Sequence, residues 1–150
     1  MIRQVSVVST LDTNIVSTGE VVIGATKMTD LAPSSGKAAN LNHIVLSEEG
    51  GQRPGLMFVF FSAAPDGTFT VNADPVFSDA DLEAITGIIE IDSDDWATMG
   101  ARSLLDKFCW NEVLKADASG DMWLVVLARS QYDAVAADDL NIKLFFEVGK

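Results

Sequence analysis

Along the chain, short apolar segments alternate with polar turn signals at intervals that suit strands better than helices. The turns are marked by Ser17-Thr18-Gly19-Glu20, Pro33-Ser34-Ser35-Gly36, Glu48-Glu49-Gly50-Gly51, Pro65-Asp66-Gly67, Asp92-Ser93-Asp94-Asp95 and Ala118-Ser119-Gly120-Asp121. Between them the pattern predicts strands near 4–9, 20–27, 41–47, 55–62, 68–72, 87–91, 101–108, 122–129 and 140–148. The last has the clearest period of two. Leu140, Ile142, Leu144, Phe146 and Val148 share one face and Asn141, Lys143 and Glu147 the other, which only Phe145 interrupts. Segment 101–108 would also suit a helix, through Leu104, Leu105 and Phe108.

Two segments do not alternate. In "GLMFVFFSAAPDG", Leu56 to Phe61 are all apolar, and so is the run from Met122 to Ala128. Such strands belong in a sheet covered on both faces, or against another chain. One short helix is predicted after Ser78, which can cap it, with Asp79, Asp81 and Glu83 near its positive end. Leu82, Ile85 and Ile89 supply its inward spacing, Gly87 ends it, and the stretch 92–99 allows a second helical turn around Trp96. Many short strands with little helix predict an all-β sandwich or barrel. Inward residues of 55–62 then enter the core between sheets. The outward set needs cover from the helix, from loops or from a neighbouring subunit.

A length of 150 residues fits a single domain, 1–150, able to bury roughly 70% of its unfolded surface. No apolar run approaches the roughly 20 residues of a membrane-spanning helix. The opening "MIRQVSVVST" has one basic residue and no long apolar stretch, so it is not read as a secretory signal, and a soluble protein is expected. The net charge of −12 changes the picture more. Ten scattered basic residues against twenty-two acidic ones argue against nucleic acid and against an anionic membrane as partners. One cysteine, Cys109, and one histidine, His43, allow no internal disulfide and no ordinary zinc site.

Candidate chemistry is sparse. Ser35-Gly36-Lys37 resembles the tail of a phosphate-binding loop, but Leu31 stands where the earlier Gly is needed and Ala38 replaces the magnesium-binding hydroxyl. Asp92, Asp94 and Asp95, or the turn Asp117–Asp121, offer calcium-like oxygens without the twelve-residue loop that closes on a Glu, so plain turns are the favoured reading. His43 has no nucleophile signature beside it and reads as structural or interfacial. Cys109, between Phe108 and Trp110, reads as a small core residue. Trp96, Trp110, Trp123 and Tyr132 are read first as core, then as protein interface, then as a sugar platform. No cofactor and no enzymatic activity is expected.

The order of segments resembles the small proteins that decorate or cement the heads of tailed bacteriophages. The resemblance is carried by an opening strand followed by "TLDTNIVSTGEVV", the loop "PSSGKAAN" and "LNHIVLSEEGGQRPGLMFVFFSA". It continues through "FSDADLEAITG", "GIIEIDSDDW", "MWLVVLARSQYD" and "LNIKLFFEV". It implies a jelly-roll-like β-sandwich on the outer capsid surface of the virion, bound to the major capsid protein and to itself as a homo-oligomer, with a trimer favoured over a dimer. Adhesion through several modest contacts would stabilise the shell. Candidate capsid or oligomer contacts are Met1, Ile2, Arg3 and Gln4, Lys37 in the polar loop 29–40, and Trp96. Competing readings are a carbohydrate-binding sandwich on a virion and a tail or head–tail joining component.

Overall fold

The computed structural model describes residues 1–12, 14–32 and 38–148, with only the backbone of Trp110 and Asn111. Its strands are β1 (Ile2–Val8), β2 (Val21–Met28), β3 (Ala38–Glu48), β4 (Leu56–Phe61), β5 (Ile85–Ile91), β6 (Ala97–Met99), β7 (Arg102–Lys115), β8 (Met122–Ala128) and β9 (Leu140–Glu147). One helix, α1 (Asp79–Ala84), precedes β5. The first sheet has the order β1-β9-β3-β7-β6 and the second β2-β8-β4-β5, and every pairing is antiparallel. With the three-residue edge strand β6 set aside, eight strands make two four-stranded sheets. The chain alternates between them except at the β4–β5 neighbours. That is the strand order of a jelly roll.

The apolar strands β4 and β8 are the two central strands of the second sheet, as their lack of alternation requires. Leu56, Phe58 and Phe60 point between the sheets with Leu124 and Val126, and meet Ile44, Leu144 and Phe146 of the first sheet. On the other face, Val59, Phe61, Val125 and Leu127 form a second buried cluster under Phe69, Phe77, Ala84 and Ile85. The cover is thus the chain's own segment between β4 and β5. Phe69 and Phe77 meet edge to face at 5.1 Å between centroids, and both lie over Phe61. Sister copies are not needed to hide this face.

Asp81 anchors the cover. Its side chain is buried, and its carboxylate accepts backbone N–H bonds from Asp66 (2.9 Å), Gly67 (2.9 Å) and Ser78 (3.0 Å). Ser78 Oγ accepts in turn from Asp81 N at 3.0 Å, which completes a capping box at the start of α1. The helix therefore turns its acid inward. Leu82, expected inside, is 57% exposed. Burial pushes the Asp81 carboxyl up, but the combined hydrogen bonds hold it net below the usual aspartate range.

Other differences have local causes. Segment 68–72 makes only isolated bridges, Thr68 to Val76 and Val21 to Val71, because it crosses a sheet face instead of extending the sheet. β7 is a strand of fourteen residues, longer than the expected 101–108. The turn before Trp96 is a 3₁₀ turn at Ser93–Asp95, and β6 follows it. β3 carries a register shift between Leu41 and His43 against both neighbours, so Leu41 and Ile44 both face the core.

Replacing Asp81 by Ala should lower unfolding stability by about 3 kcal/mol, since three N–H donors lose a charged acceptor. In the native chain the Asp81 contribution is present above the ordinary aspartate pKa of about 3.9 and is lost as pH falls through the lowered folded value. Urea unfolding at pH 7 and at about pH 3 checks both: the variant loses stability at pH 7, and its deficit narrows in acid.

Candidate functional site

The two sheets differ in what covers them. The outer face of the second sheet lies under residues between β4 and β5, while among the described residues the outer face of the first sheet carries no such cluster. Its register sets Gln4, Phe145, His43 and Phe108 in one cross-strand row, and Ser6, Lys143, Val45 and Asp106 in the next. His43 stacks on Phe108 at 4.6 Å and 4°, and against Phe145 at 5.3 Å. Phe108 is 67% exposed. Beyond Val45, Leu104, Ala97 and Met99 continue an apolar shelf toward the β6 edge, with Met99 60% exposed. Among the described residues none covers this aromatic and aliphatic strip.

His43 Nε2 is bonded to Asp106 Oδ1, an arrangement that superficially resembles two members of a catalytic triad. Among the described residues no hydroxyl or thiol is hydrogen-bonded to His43, so the nucleophile is missing. Cys109 is half-buried and packs against the core. Burial, reinforced by Glu112 and opposed by Lys107, pushes its thiol up and leaves it a poor nucleophile. A groove of about 660 Å³ between the β1 and β2 edges is lined by Ser6, Val7, Val8, Ile23, Thr26 and Phe69, among others, with no ionisable side chain. It offers shape but no acid or base.

The acidic clusters serve the fold. At the 3₁₀ turn the Asp95 carboxylate accepts from Asp92 N at 2.9 Å, Asp92 pairs with Arg129, and Asp95 pairs with Lys107 at 3.8 Å. Asp117 Oδ1 accepts from Ser119 N (2.8 Å) and Asp121 N (2.9 Å). Asp121 pairs with Lys27 at 3.0 Å and accepts from Asp30 N at 3.1 Å, and these contacts hold its carboxyl below the usual range. Glu48 is fully buried and receives N–H bonds from Gly50 (2.7 Å) and Gln52 (2.5 Å). Burial pushes its carboxyl up. Asp139 receives N–H bonds from Val135 (3.0 Å) and Ala136 (2.8 Å). These acids tie loops. Among the described residues no group of three or more Asp, Glu, His or Cys is placed to hold a metal ion.

The expected contact residues fall in three places. Met1, Ile2, Arg3 and Gln4 lie on or beside the edge strand β1, and Arg3 reaches Asp30 at 3.8 Å, which joins this segment to the start of the loop 29–40. Lys37 and the Ser35-Gly36-Lys37 motif lie outside the described residues. Trp96 is not on the surface. It is 5% exposed, and its indole N–H donates to the Pro54 carbonyl at 2.8 Å, so it packs between strands. Tyr132 is buried too, its hydroxyl without a hydrogen-bond partner among the described residues and held protonated by burial beside Glu48 and Asp139. Trp123 is half-buried beneath the Lys27 ammonium, 5.5 Å from the ring centroid. Phe108, Phe145 and Met99 are the surface residues that sequence reasoning missed. Phe145 alone left a sign, as the one apolar break in the polar face of 140–148.

No protein-family model and no curated protein matches the chain. The solved structures similar to it include that of tomato aspermy virus, at 10% identity and a TM-score of 0.43, over 97% of this chain and 75% of that one. The P-domain of the Penaeus vannamei nodavirus is 10% identical with a TM-score of 0.37, over 98% and 96%. Deformed wing virus carrying the GFP gene is 7% identical with a TM-score of 0.43, over 100% and 76%. The jelly-roll assignment stands on the strand order in its own right.

The Cys109 thiol provides a test of its own inertness. At pH 8 its reaction with a disulfide reagent should be at least about tenfold slower than that of a free cysteine of pKa about 8.5, because burial suppresses the thiolate. A rate equal to or above that of the free thiol would show an activated sulfur instead.

Proposed function

We propose that this chain is a structural component of a virus particle, a jelly-roll subunit that attaches to the outside of a tailed-phage head and strengthens it. The observation that carries the reading is the asymmetry of the sandwich. One sheet hides its outer face under the chain's own loop, and the other leaves His43, Phe108, Phe145 and Met99 on a bare face. An uncovered aromatic strip on an otherwise acidic protein is suited to adhesion. The acidic clusters described above are spent on turns and loop anchors, and the His43–Asp106 pair has no hydrogen-bonded nucleophile among the described residues, which favours contact as the role of the surface.

On this reading the bare face docks on the major capsid protein, and repeated copies gain avidity from many modest contacts. The acidic remainder faces solvent and keeps decorated particles apart. A sugar-binding role is less well supported, because Trp96 and Tyr132 are buried and Trp123 lies beneath Lys27.

The test is a reconstruction of virions from the host that carries this chain, with and without Phe108→Asp. The wild-type sandwich should appear as repeated density over the head with β3, β7 and β9 toward the shell. Phe108 is 67% exposed, so the variant should fold with unchanged melting and lose occupancy by at least about tenfold. Absence of the wild-type chain from purified particles, or full occupancy by the variant, would overturn the proposal.

A further inference from the structure

The four sheet edges are not equally protected. β6 is only three residues long. β2 has two register shifts, and Val21 exchanges backbone bonds with Asn72 (2.8 Å) and Ala73 (3.0 Å) of the covering segment. β5 is crossed by Lys107 Nζ, which donates to the Glu90 carbonyl at 3.1 Å, and its Thr86 Oγ1 accepts from Lys115 N at 2.6 Å. β1 has none of these devices. It runs seven residues in unbroken register with β9, with no Pro, no Lys and no bulge.

Its backbone parity identifies the free groups. Val148 N donates to Met1 O and Ser9 N to Leu140 O, both at 2.9 Å, so the odd-numbered residues of β1 bond to β9. Ile2, Gln4, Ser6 and Val8 therefore turn their N–H and C=O groups to the open side. No other described residue hydrogen-bonds them.

We propose that the open edge of β1 pairs with the same edge of a second copy of this chain, antiparallel about a two-fold axis through Val5. In that register Ile2 faces Val8 of the second copy and Gln4 faces its Ser6. All four residues with free backbone groups become hydrogen-bonded pairs, apolar meets apolar and polar meets polar. Ile2 and Val8, 56% and 47% exposed, gain cross-strand partners. Charge favours this site over others for self-contact. A chain of net charge −12 repels its copies, yet β1 carries no acid, and its one charge, Arg3, is paired with Asp30 at 3.8 Å. The two first sheets then form one continuous sheet, and their bare faces lie side by side. The product is a dimer, where the resemblance to decoration proteins implies a trimer. The pairing is independent of the virion role, so failure of either leaves the other standing.

Sedimentation velocity over a concentration series tests it on the full chain. Wild type should show a monomer–dimer equilibrium with a dissociation constant of roughly 10–100 µM, as fits a small interface. Gln4→Pro removes an N–H that β9 does not use. It should weaken the dimer at least about tenfold with little change in melting, whereas Val5→Pro should damage the β9 pairing and the fold itself. The register is read by charge. Gln4→Glu with Ser6→Glu sets like charges opposite each other and should abolish the dimer. Gln4→Lys with Ser6→Glu sets opposite charges together and should restore it. A wild type that stays monomeric at about 1 mM, or a dimer indifferent to both charged pairs, would overturn the proposal.

Discussion

The covering segment over the second sheet is held by a buried carboxylate, and most of what the molecule offers to others follows from that bond set. Asp81 accepts N–H groups from the Asp66–Gly67 turn and from the start of its own helix, which pins both ends of the segment that carries Phe69 and Phe77. A charged acceptor is suited to the task because it draws several backbone donors to one point. With the cover in place, β4 and β8 are hidden on both faces. The exposed large apolar side chains then include Phe108 and Met99 on the first sheet and Ile2 and Val8 at its β1 edge, besides Val76 and Leu82 on the back of the cover, Ile88 on β5, and Ile15 and Val135 in loops. Of the covers the apolar strands allow, helix, loops or a neighbouring subunit, the second sheet takes the chain's own segment between β4 and β5.

The same use of acids recurs around the sandwich. Glu48, Asp121 and Asp139 each gather backbone N–H groups of a turn, and Asp121 adds the Lys27 ammonium. The high acidic content is thus partly architectural, which is why clusters that look like cation sites in sequence are already occupied by the chain's own donors. The remainder of the charge lies on the surface, where it limits self-contact to places without acids.

Much of this architecture is legible in the residues. The period of two in Leu140–Glu147, the unbroken apolar runs of β4 and β8, and Ser78 as a helix cap all state their environments directly. What is not legible depends on tertiary context. The stretch 68–72 has strand-forming residues, but it spends them on packing across a sheet. Leu82 and Asp81 exchange their expected roles because hydrogen-bond donors await the acid inside. The register shift at Asn42 turns His43 to the outer face with Phe108 and Phe145, and no turn residue marks it. Lys37 and Trp96 were expected at a contact surface; Lys37 lies outside the described residues, and Trp96 is claimed by Pro54.

This sandwich buries one sheet face with its own chain, and among the described residues nothing covers the opposite face. Carbene footprinting of the dilute protein reads both faces at once. Phe108 and Met99 should be labelled heavily, and Val59, Phe61 and Val125 almost not at all. Comparable labelling of Val59 and Phe61, or a silent Phe108 at dilutions where no copies associate, would contradict it.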